Sequence, residues 1–221
     1  MTLNLQKITK NSRKAFDTKV DPLKKNKVLK KFSNLLKKNK RKIILENHKD
    51  IKFAKKKKIK ENLIKRLELD EKKINNIIKS INQIIKIKDP TNRILEKWRR
   101  PNGLIIKKVT VPIGVIAVIY ESRPNVTSDI ASLCFKSGNA VILRGGSEAF
   151  NTNKIISNLF RLSLKNCRVD QNYVQFINSK NRKIVDKLLS TMKGNIDLIV
   201  PRGGKSLVKK VDELSRVPYI G

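Results

Sequence analysis

The chain has 221 residues, 52 lysines and arginines against 18 acids, two cysteines, one histidine and a formal charge of +34. Cys134 and Cys167 form no CxxC pair, which argues against a zinc site or disulfide framework and for a reducing, cytoplasmic setting. No apolar run approaches the ~20 residues of a membrane span, and the basic opening MTLNLQKITKNSRK lacks a signal peptide's apolar core and cleavage site.

Clustered lysine and arginine favour a polyanion. Here the lysines are spread through amphipathic stretches without interleaved aromatics, and the segment 109–148 is nearly neutral. The charge therefore reads chiefly as solvated helix faces in a Lys-, Ile- and Asn-rich chain, with non-specific nucleic-acid binding at low salt as its consequence. His48 lies in the lysine-rich region as a surface residue, and no metal site is expected.

In chain order, Asp21-Pro22 is a helix start signal. Val28, Leu29, Phe32, Leu35 and Leu36 follow at helical spacing, and Ile43 and Ile44 continue the face. Asn47–Lys58 predicts a second helix, carrying Ile51 and Phe53 before four consecutive lysines. Asp70 caps a third, in which Ile74, Ile77, Ile78, Ile81, Ile84 and Ile85 form an apolar stripe that Asp89-Pro90 ends. Residues 1–97 thus read as a helical region that must pack on something else. Pro101-Asn102-Gly103 is a turn between alternating segments, so 98–111 predicts a β-hairpin arm, of a kind that leaves a domain to pair with another subunit.

Residues 112–221 change period. Gly114–Ile119 is continuously apolar and β-branched, a strand buried on both faces. A turn at Arg123-Pro124-Asn125 leads into a helix over 126–136, with Thr127 or Ser128 as N-cap and Ile130, Leu133 and Cys134 inward. Ser137-Gly138-Asn139 stops it. A strand at Ala140–Leu143 runs into Arg144-Gly145-Gly146-Ser147-Glu148. There follow a helix at 151–164, a strand at 173–177, a helix at 182–189 and a strand at 196–200. A second glycine turn, Pro201-Arg202-Gly203-Gly204, precedes a helix at 205–214 and a strand at 217–220. This alternation predicts an α/β class with a largely parallel, Rossmann-like sheet over 112–221. The last strand stops at Gly221 with no covering helix, which reads as a domain cut short.

Both glycine turns leave buried strands and enter helices, so they should emerge on one sheet edge, where backbone N–H groups and positive helix ends favour phosphate. Neither is GxGxxG or a P-loop, and plain connections are the competing reading. Asn125 can donate to a developing oxyanion or cap its helix as an Asx turn. Ser122 and Arg123 can meet an anionic substrate or make a loop ion pair. Cys134, on an apolar helix face, reads as a small hydrophobe, and Cys167, beside Arg168, has no nearby base.

The segments PIGVIAVIYESRPNVTSDIASLCFKSGNAVILRGGSEAFNTN and IDLIVPRGG closely resemble the gamma-glutamyl phosphate reductase (glutamate-5-semialdehyde dehydrogenase) family of the aldehyde dehydrogenase superfamily. KNKVLKKFSNLL and ILENHKDI also fit that family's opening. The resemblance implies NADPH-dependent reduction of L-glutamyl 5-phosphate to the semialdehyde in proline biosynthesis, by a homo-oligomer. A cysteine thiolate would form a thioacyl enzyme that hydride then reduces. It further implies that Arg144, Gly145, Gly146, Ser147 and Glu148 line the adenosine side of the cofactor. Pro201, Arg202, Gly203 and Gly204 would approach its pyrophosphate, Asn125 would serve as oxyanion donor, and Ser122 and Arg123 would face the substrate. Family members are about twice this length, with the nucleophilic cysteine beyond Gly221. The chain then reads as the N-terminal, cofactor-binding half, inactive alone. A degenerate basic nucleic-acid-binding or scaffolding remnant, and a regulatory domain that senses the dinucleotide, are the other readings.

Overall fold

A computed structural model describes residues 4–121, 123–181, 183–192 and 194–221. Its first part is helical: α1 (Leu5–Asp17), α2 (Pro22–Lys38), α3 (Lys40–Lys56), α4 (Glu61–Leu67) and α5 (Glu71–Lys86). The start signals act as read. Asp21 accepts from the Lys24 backbone N–H ahead of a proline-led α2, and Asp70 accepts from Lys73 ahead of α5. The isoleucine stripe of α5 is inward, with Ile74, Ile77, Ile81 and Ile84 buried.

Two helices were not legible. The inward face of α1 is Leu5, Thr9, Ser12 and Ala15, too polar to register as an apolar period. The short α4 buries only Ile64 and Leu67. For the same reason α3 begins at Lys40 and not at Asn47, because two of its four buried residues are the polar Asn47 and Asp50.

The hairpin pairs β1 (Ile94–Arg99) antiparallel to β2 (Ile105–Val109), with Trp98 opposite Ile106. Its pairing begins at Ile94, earlier than the change of character at Trp98 indicates, with a register shift between Ile94 and Glu96. Every β1 residue is exposed, Trp98 by 42%.

The remaining elements are β3 (Val115–Tyr120), α6 (Pro124–Lys136), β4 (Ala140–Gly145), α7 (Phe150–Asn166), β5 (Val174–Phe176), α8 (Lys183–Thr191), β6 (Leu198–Arg202) and α9 (Lys205–Leu214). The strands form a parallel sheet ordered β5-β4-β3-β6. Right-handed crossovers fix the layers. Steps from β3 to β4 to β5 run one way, putting α6 and α7 on one face. The return from β5 to β6 puts α8 on the other. There it meets α1, whose Thr9 hydroxyl reaches the Met192 sulfur at 3.7 Å and whose Arg13 pairs with Asp197 at 2.6 Å. With both faces covered, β3 and β4 are buried throughout. The α2 and α5 stripes pack behind α6 and α7, so helical and sheet residues share one core. Phe160 is its hinge, 4.6 Å from the Phe32 ring and 5.8 Å from Phe135.

Several local readings are corrected. Proline at the first helical position starts α6 at Pro124 with Arg123 as N-cap, so Thr127 and Ser128 are buried inside the helix and cap nothing. Leu133 is 49% exposed; small residues (Thr127, Ser128, Ala131, Ser132) with Phe135 face inward, which lets α6 lie close to its neighbours. Tyr173 belongs to a turn before the three-residue β5. The helix start read at Arg182 falls on a residue outside those described. β6 begins at Leu198 and continues through Pro201 to Arg202. Residues 217–220 make one bridge, Ile199 to Tyr219, instead of a strand, because Pro218 brings no N–H to a ladder. Among the described residues no helix is long and apolar enough to cross a membrane.

Candidate functional site

Strand order dictates where a ligand fits. The chain steps outward from β3 to β4 and β5, then returns to the other side of β3 as β6. The direction reverses between β3 and β6, and beyond their carboxyl ends an open α/β sheet leaves a crevice. Both glycine turns emerge there: Ile119 pairs with Arg144, and Tyr120 with both Gly145 and Arg202.

The two turns are nonetheless different. The second lies at the reversal itself, where the Glu121 N–H donates to the Arg202 carbonyl at 3.1 Å. Pro201 is buried, while Arg202, Gly203 and Gly204 are exposed. Gly204 is the N-cap of α9 and offers no side chain to its first turn. What approaches instead is Glu121, whose Oε1 accepts from the Gly204 N–H at 3.2 Å. A Cβ added at Gly203 would fall 2.7 Å from the Glu121 carboxyl carbon. An acidic group therefore already rests on the turn, where a helix N-terminus favours negative charge.

The first turn is closed. Arg144 and Gly145 are buried in the end of β4, and the Arg144 guanidinium donates to the Gly145 carbonyl. Gly145 is glycine for a packing reason, since a Cβ there would lie 2.2 Å from Asn153 Nδ2 and 3.0 Å from the Tyr120 ring. Those neighbours belong to one buried network, Tyr120 hydroxyl to Thr127 at 2.7 Å and Thr127 to Asn153 at 2.8 Å. Gly146, Ser147 and Glu148 are partly exposed, with the Ser147 hydroxyl donating to Glu148 at 2.8 Å.

The helix behind this turn is also taken. Asp50 of α3 accepts from the Asn151 N–H at 3.0 Å and amide at 2.9 Å, and from the Thr152 N–H at 2.8 Å and hydroxyl at 2.7 Å. Burial pushes the Asp50 carboxyl above its ordinary value, against these hydrogen bonds from Thr152 and Asn151. The expectation that this helix end holds phosphate is therefore corrected: a protein carboxylate already satisfies it.

The start of α6 reaches the same edge. Asn125 is exposed in the first turn of the helix, and its amide donates to Asp129 Oδ2 at 3.2 Å, so it is not an Asx cap. Arg123 is exposed at the N-cap; Ser122 lies outside the described residues. A cavity of about 470 Å³ opens between Arg123, Asn125 and Asp129 on one side and Arg66, Ile77 and Ser80 of α4 and α5 on the other. Burial pushes the Asp129 carboxyl up, opposed by hydrogen bonds from Asn125 and Ser80. Asp129, Ser80, Glu121 and Asp50 went unnoticed in sequence. Only Asp129 gave a signal, one helical turn beyond Asn125 and so on its face.

Neither cysteine belongs to this edge as a nucleophile. Cys134 lies ~14 Å further along α6 than Asn125, and burial pushes its thiol up to about 12. Cys167, after α7, is buried.

No protein-family model matches the chain. A gamma-glutamyl phosphate reductase from Hydrogenobaculum sp. is 48% identical over 203 residues, covering 91% of this chain and 46% of that protein. The crystal structure of a gamma-glutamyl phosphate reductase from Thermotoga maritima superposes with a TM-score of 0.94 at 37% identity, over 97% of this chain and 52% of that one. An acetylating aldehyde dehydrogenase from Geobacillus thermoglucosidasius shares the fold, with a TM-score of 0.75 at 15% identity over 98% of this chain and 45% of its own. The chain thus spans about half the length of the curated relatives it matches. Over nearly its whole length this chain is similar to about half the length of proteins named gamma-glutamyl phosphate reductase, and it shares the fold of an aldehyde dehydrogenase.

Proposed function

We propose that this chain supplies the dinucleotide-binding part of an NADPH-dependent reductase that converts L-glutamyl 5-phosphate to L-glutamate 5-semialdehyde, with release of phosphate, in proline biosynthesis. The observation that carries the reading is the glycine-led start of α9 at the strand reversal, whose N-cap residue has no side chain to close it, flanked by exposed Arg202. The backbone N–H groups at Gly203 and Gly204 would hold the pyrophosphate, with Arg202 beside it and Pro201 fixing the turn from below. The partly exposed Gly146, Ser147 and Glu148, one strand over, would line the adenosine side, on the buried footing of Arg144 and Gly145.

When bound, the nicotinamide supplies the hydride. This chain's residues would orient the acyl phosphate: Arg123 facing the phosphate, and the Asn125 amide turning from Asp129 to the carbonyl oxygen as it gains charge. The attacking thiolate comes from elsewhere. Burial pushes the Cys134 thiol up and it lies away from the crevice, while Cys167 is buried after α7. The 221-residue chain alone would therefore bind cofactor without turning over. The exposed hairpin would pair with a second subunit, as the arm of a homo-oligomer.

Titration of the purified chain with NADPH, read by nucleotide fluorescence, tests this. Binding should persist at moderate salt and fall at least tenfold in Arg202→Ala and Gly203→Val, with no reductase activity. Absence of nucleotide binding, together with nucleic-acid binding of steep salt dependence, would favour a basic nucleic-acid-binding protein instead.

A further inference from the structure

Asp129 lines the cavity beside the start of α6. Asp129 is half-buried, and its partners are the neutral Asn125 amide at 3.2 Å and Ser80 hydroxyl at 3.4 Å. No lysine or arginine among the described residues pairs with it. A desolvated carboxylate held by neutral donors keeps a strong attraction for a positive group.

The cavity it faces supplies the complement. Of the cations lining it, Lys73 donates to the Glu68 carbonyl at 2.8 Å, and Lys65 lies 3.6 Å from Glu61. Arg66 and Arg123 make no side-chain ion pair or hydrogen bond among the described residues. The half-buried Asp129, the exposed Glu68 and two guanidinium forks thus line a space of about 470 Å³, ample for a ligand the size of an amino acid.

We infer that Asp129 is the specificity residue for the α-ammonium group of an amino-acid acyl phosphate, with Arg66 taking its α-carboxylate and Arg123 the acyl-phosphate end. This rests on the reading of the chain as part of a glutamyl phosphate reductase and adds how its substrate is told from a plain dicarboxylic acyl phosphate. Ammonium on Asp129 forms a charge-assisted pair in a partly dry site, and a forked guanidinium matches a carboxylate. A ligand without the ammonium leaves Asp129 unpaired and brings its own charge near it.

Three probes separate these contributions on the 221-residue chain, followed by NMR chemical-shift titration: L-glutamate, glutarate (no ammonium) and 4-aminobutyrate (no α-carboxylate). L-Glutamate should bind at least tenfold more tightly than glutarate. Asp129→Asn should bring the two within about twofold by weakening L-glutamate without weakening glutarate, and Asp129→Glu should restore part of the preference. Arg66→Met should weaken L-glutamate and glutarate and spare 4-aminobutyrate. Equal binding of L-glutamate and glutarate, no binding of L-glutamate, or a preference unchanged in a folded Asp129→Asn would overturn the inference. NADPH titration of the same samples keeps the two ideas apart. NADPH binding without L-glutamate selectivity sinks only the role of Asp129, whereas selectivity without NADPH binding sinks only the cofactor reading.

Discussion

Asp50 caps a helix through Asn151, 101 residues later in the chain. Its carboxylate does what an N-cap side chain does, though from another element, and it meets side-chain as well as backbone donors. Asp50→Ala should therefore lower unfolding free energy by about 2 kcal/mol, and Asp50→Asn, which keeps one accepting oxygen, by about 1 kcal/mol. Chemical denaturation measures both. The pH dependence has a definite sign. Because burial raises the folded value above 3.8, the unfolded chain ionises first as pH rises. The stabilising contribution is full below 3.8 and declines as pH climbs through the raised folded value. Asp50→Asn should flatten that decline. Nothing local in sequence announces such a residue, since Asp50 sits mid-helix among lysines. Gly145 misled in the opposite sense. Its place in a glycine turn suggested a ligand's close approach, but Tyr120 and Asn153 require the missing side chain. The sequence could not reveal that they converge on it.

At the scale of elements, the two glycine turns looked alike on paper. Both leave buried strands, both precede helices, and both reach the same edge. The difference lies in what meets each helix end. α7 has a buried partner from α3; α9 has only an exposed glutamate. If a dinucleotide phosphate binds α9, it displaces the Glu121 carboxylate, and removing that charge should help. Glu121→Gln is expected to raise NADPH affinity about two- to fivefold, the ~0.3–1 kcal/mol of a charge at a helix terminus. The gain should shrink at high salt. Unchanged affinity in a low-salt fluorescence titration would show that the carboxylate does not compete. Helices with an isoleucine or leucine stripe were plain from their period, as were strands of unbroken β-branched residues. Elements with polar or small inward faces, α1 above all, were not, because periodicity reports only apolar contrast.

Across the whole molecule, the alternation of helix and strand was enough to predict a parallel sheet, and the sense of the crossovers decides which faces the helices cover. What the alternation could not tell was how thoroughly the first ninety residues are built into that sheet's support. The parallel sheet begins only at Val115, yet Val28, Phe32 and Ile81 belong to the same core as Val118, Leu143 and Phe160. The layer from α2 to α5 is thus foundation and not annex. Severing the polypeptide between hairpin and β3 tests this directly. A 112–221 fragment retains the complete sheet and both glycine bends, but should form a swollen, dye-binding globule with weak near-ultraviolet dichroism. Adding the 1–111 piece should restore a cooperative melt. Any shorter piece of this chain meant to keep the sheet folded would have to keep the leading helices, because they are the mortar behind the strands.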